Sequence, residues 1–174
     1  MKNIIYEALQ ELLEKNIVKS QDIPNIDLYV DQVTGFIEEN SYQKNNEKTI
    51  TKSMINNYCK NKVIPSSNKK KYTKNHIMLL ILIHNTKNIL SISDLSKIFS
   101  VFDENSGILS YYNDIMDFMS SFDNENFYNS SSLNFEHSEE KTLETEDYAL
   151  LATKLAIEAN IKKILAEIII DKYL

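Results

Sequence analysis

Apolar residues recur at three- and four-residue steps over most of the chain, a period that predicts helices rather than strands. Between residues 3 and 14, Ile4, Ile5, Ala8, Leu9, Leu12 and Leu13 share one face and Glu7, Glu11 and Glu14 lie opposite. Ser20 to Asn25 is expected to be a loop, because Pro24 pushes Ile23 out of helical geometry. Leu28, Tyr29, Val33, Phe36 and Ile37 predict a second helix from about Ile26 to Glu39, at a small cost from Gly35. A polar linker, 40–48, follows.

Thr51 can cap a third helix running from Lys52 to about Asn61, with Met54, Ile55 and Tyr58 facing inward. Val63-Ile64-Pro65 ends it. Thr73 can cap a helix that is apolar nearly all round through Ile77, Leu79, Leu80, Ile81, Leu82 and Ile83, as expected of the buried centre of a domain. Ser91-Ile-Ser-Asp94 reads as a capping-box variant opening a short helix to about Phe99.

In the last third, Asp103 to Gly107 has the wrong ligand spacing for a calcium loop and is expected to be a turn. Residues 108–119 predict a helix with Leu109, Tyr112, Ile115, Met116 and Met119 on one side. The acidic, Asn- and Ser-rich stretch 121–143 is expected to be an exposed loop. A final long helix, 144–172, is apolar over most of its circumference, with a narrow stripe of alternating charge at Lys154, Glu158, Lys162, Lys163, Glu167 and Asp171. Such a helix must be covered on two sides, by its own chain or by a second copy.

Composition agrees with an all-α fold: two glycines and two prolines in 174 residues supply few of the tight turns that an all-β fold needs. The expected division is an N-terminal helix (1–20), a core (26–100) and a helical C-terminal region (101–174). No apolar run reaches the roughly 18 residues of a membrane span. Glu7 and Glu11 interrupt the N-terminal apolar pattern, so no secretory signal is expected, and the single Cys59 cannot form an internal disulfide, so a cytoplasmic setting is expected.

Charge changes the picture by its position. Residues 44–87 hold ten lysines and one acid, whereas the remaining nine lysines face twenty-four acids, so the net charge of −6 divides into +9 and −15. A positive island in an acidic chain is what a polyanion contact needs, because neutralising phosphates releases counterions; it is also compatible with a merely solvated surface. Lys52, Ser53, Asn56, Asn57 and Lys60 form an acid-free outward face on the third helix, and Lys69, Lys70 and Lys71 form a lysine run soon after it. Every basic side chain is lysine, so bidentate arginine–guanine readout is excluded and base reading falls to Asn, Lys, Ser and Thr, with Asn suited to adenine.

The string Tyr58-Cys-Lys-Asn-Lys-Val-Ile-Pro65, then Tyr72-Thr, an apolar helix and Ile89-Leu-Ser-Ile-Ser-Asp-Leu95, resembles the DNA-binding domain of the MerR superfamily. Thr51 to Ile77, with Leu28 to Val33 before it, resembles more closely a domain-of-unknown-function family of AT-rich bacteria that is itself considered MerR-like. The resemblance covers about residues 26–100 and implies a helix-turn-helix with a small basic wing. Asn56-Asn57-Tyr58 stands where MerR proteins have Arg-Tyr-Tyr, Lys62 stands where they have glycine, and the linker before Thr51 is longer than the usual helix-turn-helix turn. The wing, Ser66 to Tyr72, is also shorter and has no glycine.

The expected function is a DNA-binding transcriptional regulator. The 52–61 helix would enter the major groove of double-stranded DNA, with Thr51, Lys52, Ser53, Asn56, Asn57, Lys60, Lys62, Lys69, Lys70, Lys71 and Tyr72 as contact residues. The 144–172 helix would pair two copies. The alternative is a protein-interaction module docking an acidic partner on the same core. Catalysis, a metal and a cofactor are not expected: no glycine-rich phosphate loop or nucleophile elbow is present. His76 and His84 are also too far apart on one helix, about 12 Å, to share an ion.

Overall fold

A computed structural model describes residues 2–42, 49–102, 107–122 and 144–174. The Asp103–Gly107 turn (except Gly107), most of the 40–48 linker and nearly all of the 121–143 loop lie outside the described residues. The fold is all-α. Its helices are α1 (Lys2–Asn16), α2 (Val30–Glu39), α3 (Lys52–Lys60), α4 (Lys74–Thr86), α5 (Ile92–Phe99), α6 (Ile108–Ser120) and α7 (Thr145–Tyr173). A 3-10 turn at Ser20–Asp22 precedes two short strands, β1 (Leu28–Tyr29) and β2 (Lys71–Tyr72). Among the described residues no helix is long and apolar enough to cross a membrane.

The caps fall where the sequence puts them. Met54 N–H donates to Thr51 Oγ1 at 3.2 Å, and Asp94 N–H donates to Ser91 Oγ at 3.2 Å. At α4 the capping box closes through His76, whose Nδ1 accepts from Thr73 N–H at 3.1 Å. Each bond satisfies a first-turn group that the helix itself leaves open.

Helix α4 is the centre of the molecule. Ile77 to Ile83 are all buried, because α2, β2, α6 and α7 each cover part of its surface. Its polar side chains at that depth turn back on their own helix: Asn85 Nδ2 donates to Ile81 O at 3.0 Å, and Thr86 Oγ1 to Leu82 O at 2.7 Å. One continuous apolar cluster joins Leu9 and Leu12 of α1 to Val33 and Ile37, Ile55, Leu95, Tyr112 and Ile161 of the helices that follow. Tyr112, fully buried on α6, donates its hydroxyl to Val18 O at 2.6 Å and so ties α6 to the chain beyond α1. Tyr111 bonds Thr153 of α7, and burial pushes both tyrosine hydroxyls above their usual range.

Two sequence expectations shift. The second helix starts at Val30 rather than Ile26, because Leu28 and Tyr29 pair antiparallel with Tyr72 and Lys71. On α6, Leu109 is about half exposed, and Ile108, Tyr111 and Phe118 are buried beside Tyr112, Ile115, Met116 and Met119. The buried face of α6 is therefore wider than the stripe read from spacing, since α4, α7 and the 3-10 turn all contact it.

Helix α7 packs on α1, α4, α5 and α6 of its own chain. Ala156, Ile157, Ile161, Leu165 and Ile168 are buried there. The alternating charge stripe forms two i,i+4 pairs, Lys162–Glu158 and Lys163–Glu167, each at 2.6 Å. Leu155, Ile169 and Ile170 remain 46 %, 37 % and 53 % exposed, so the chain covers only part of this helix.

Candidate nucleic-acid interface

Helix α3 is amphipathic over nine residues. Ile55 and Tyr58 are buried, Met54 and Cys59 are half-buried, and Lys52, Ser53, Asn56, Asn57 and Lys60 are exposed. Thr51 is half-buried at the cap. Burial pushes the Cys59 thiol up, the opposite of an activated nucleophile, and its Sγ donates to Pro65 O at 3.5 Å.

The helix ends in a Schellman motif. Lys62 N–H donates to Cys59 O at 3.1 Å and Val63 N–H to Tyr58 O at 2.9 Å, with Val63 and Tyr58 both buried. The motif requires a left-handed residue just past the helix end. Lys62 takes that role with φ 56°, at the position where the resembled pattern has glycine. A β-carbon there costs about 1–2 kcal/mol. Lys62→Gly should therefore raise the unfolding free energy by about 0.5–1 kcal/mol after the extra chain entropy of glycine is subtracted. Denaturant titration reads this as a higher midpoint at unchanged slope, and a lower midpoint would contradict the geometry.

Val63 and Ile64 then dive into the core, and the chain re-emerges as a two-residue hairpin. Asn68 and Lys71 exchange both backbone bonds, Lys71 N–H to Asn68 O at 2.9 Å and Asn68 N–H to Lys71 O at 3.2 Å. Lys69 and Lys70 form its tip with φ 48° and 63°. Two successive left-handed residues are the signature of a type I′ turn, which ordinarily takes Asn-Gly. Among the described residues, every non-glycine with positive φ is thus a lysine of this one unit.

The hairpin is held from two sides. Its outgoing strand, β2, pairs with β1 at the foot of α2, and Lys71 Nζ lies 5.3 Å from the centre of the Tyr29 ring. Tyr72 is buried and meets His76 of α4 edge-on at 5.6 Å. Its ring therefore supports the hairpin from beneath, whereas Lys69 and Lys70 are exposed at the tip.

Three neighbours of the site were not among the expected contact residues. Asp31, in the first turn of α2, pairs with Lys52, so that cation is partly neutralised at rest. Both partners are exposed, and an ion pair of this kind is worth little and exchanges readily for a phosphate. Tyr29 backs Lys71. Asn61 Nδ2 donates to Asn57 O at 2.9 Å and to Asn57 Oδ1 at 3.0 Å. The Asn57 amide is therefore oriented with its oxygen engaged and its N–H groups outward, whereas Asn56 has no partner among the described residues and presents both groups. The Asn57–Asn61 contact has the i,i+4 spacing and could have been anticipated.

The unit comprises an acid-free helix face, a lysine at the helix end and a hairpin tipped by two lysines, with α3 and β2 both packed on α2. No curated protein and no solved structure matches the chain. Residues 18–131, which span the whole of this unit and about two thirds of the chain, match a family described as a domain of unknown function (DUF1836), and the chain belongs to that family.

Proposed function

We propose that the protein is a non-catalytic, MerR-like DNA-binding regulator of transcription, with α3 as the reading helix and the 66–72 hairpin as the wing. The observation that carries this reading is the hairpin. A tight turn built from two left-handed lysines makes no contribution that Asn-Gly would not make better, except positive charge at the tip of a projecting element. The order of elements supports it: two helices, a hairpin tied back to the strand before the first of them, and a buried helix behind.

Helix α3 would lie in the major groove, which is about 12 Å wide. Lys60, Lys62, Lys69, Lys70 and Lys71 would hold phosphates, joined by Lys52 once its bond to Asp31 is exchanged. Asn56, with donor and acceptor both uncommitted, suits adenine N6 and N7, and Asn57 offers N–H groups to acceptors beside it.

Fluorescence anisotropy with duplex DNA at several salt concentrations tests the proposal. Six phosphate contacts predict a logarithmic salt slope of about −5 and a loss of about 10³-fold in affinity between 50 and 200 mM salt. The Asn56→Ala, Asn57→Ala double variant should flatten preference among duplex sequences while leaving that slope. An intact protein that ignores duplex DNA at 50 mM salt removes the proposal and leaves the acidic-partner reading.

A second copy is part of the same proposal, since a two-fold site needs two reading helices. Leu155, Ile169 and Ile170, on the side of α7 that its own chain leaves open, are the surface for it. Light scattering at micromolar concentration should report a dimer; a monomer throughout removes this part alone.

A further inference from the structure

At the opposite end of α4 from the hairpin, its last turn, the end of α1 and the middle of α7 enclose a partly open cleft of about 40 Å³. Its walls are polar and donor-rich. Asn16 and Asn160, only 3 % and 4 % exposed, use their amide oxygens inside the protein: Asn16 Oδ1 accepts from Tyr42 N–H at 2.7 Å, and Asn160 Oδ1 from Asn88 Nδ2 at 3.3 Å. Neither amide nitrogen has a partner among the described residues. His84 lines the same cleft, and its Nδ1 is buried without a hydrogen bond. Lys163, paired with Glu167 at 2.6 Å, brings an ammonium to the rim.

A buried polar atom left unpaired costs about 1–3 kcal/mol, and His84 Nδ1 is such an atom at this cleft. An acceptor suits the site, because the Asn16 and Asn160 amide nitrogens beside it are donors, His84 Nδ1 donates in one of its tautomers, and the Glu167 carboxylate in the lining is paired with Lys163. We propose that this cleft is a binding site for a small oxyanion, the carboxylate or phosphoryl group of a solute, with Asn16 and Asn160 as its donors, Lys163 as its counter-charge and His84 as a further hydrogen-bonding group. The volume is about three times what one water needs, the size of a carboxylate with its first carbon, and the open side lets the rest of the solute project.

The site also touches the element that positions α3. Tyr42 and Thr49 both line the cleft, and Lys87 donates to Thr49 O two residues before the Thr51 cap. Occupancy would therefore hold the approach to α3. The binding itself does not rest on the DNA reading and is testable without it.

Thermal unfolding of the full chain, at ionic strength held constant with sodium chloride, tests the site with sodium acetate and sodium phosphate in separate arms. Either anion at about ten times its dissociation constant should raise the melting temperature by roughly 3–5 °C, saturably. A rise with acetate alone identifies the carboxylate, and a rise with phosphate alone the phosphoryl group. Lys163→Gln, at an exposed position, should reduce the shift severalfold, and Asn160→Leu should abolish it. In the unsubstituted protein the His84 ring resonance should move over the same anion range, a readout that needs no variant to fold. A melting temperature that responds no more than to chloride, or an undiminished response in Lys163→Gln with a stationary His84 resonance, overturns the proposal.

Discussion

Lys69→Asn combined with Lys70→Gly should make the protein more stable and, on the reading proposed above, a poorer DNA binder. Both lysines sit at positive φ in the hairpin tip, where each β-carbon costs about 1–2 kcal/mol. Asn tolerates that region and Gly has no penalty there. After the greater chain entropy of unfolded glycine is subtracted, the gain is about 1–2 kcal/mol, or roughly 4 °C in melting temperature for a chain of this size. The same change removes two charges from the tip. The logarithmic salt slope should become shallower by about 2, and affinity at 0.1 M salt should fall roughly 10²-fold for all sequences alike.

The opposed signs give this experiment its weight. A structural turn improves when its residues are made to fit, and nothing else changes. A functional one improves in stability and loses its task. Lys62→Gly, at the end of α3, separates the two effects by degree, since it relieves one left-handed lysine and removes one charge. A hairpin variant that is less stable than the parent would show that the tip is not a type I′ turn. Unchanged binding in a stabilised variant would show that the tip does not touch DNA.

The helices were legible because each has a cap and a period of its own: Thr51 before α3, Thr73 before α4 and Ser91 before α5 all act as the sequence implies. Strand β1 was not legible. Two residues carry no period, and Leu28 and Tyr29 also fit the helical spacing of Val33, Phe36 and Ile37. They leave the helix because Lys71 and Tyr72 offer them backbone partners from more than forty residues away. The hairpin tip was legible as a charge run and not as a turn, since Lys carries none of the left-handed preference that marks Gly or Asn. The Asp31–Lys52 pair joins two helices, and no spacing rule relates their residues. The exposed lysines and asparagines of this unit were therefore readable, while the contacts that orient them depend on the folded chain.

His84 should make the protein acid-sensitive in a defined window. Burial, with Lys87 nearby as a secondary cause, lowers its pKa from 6.5 to about 4. In the unfolded chain the imidazole takes a proton near pH 6.5; in the folded protein it stays neutral until about pH 4. Between those values the unfolded state binds more protons, so the contribution of neutral His84 is complete above pH 6.5 and is lost as the pH falls toward 4. The charges that share its cleft are Lys87, just past the end of its own helix, and the Lys163–Glu167 pair of α7. The loss is about 3 kcal/mol, and carboxylate titration adds to it at the acid end. His84→Gln, polar and non-titrating, isolates the effect. Denaturant titrations of both proteins should give a stability difference that is constant above pH 7 and shifts by about 3 kcal/mol in favour of the variant by pH 4. A difference that stays level across this range would mean that His84 charges as freely in the folded protein as in the unfolded chain.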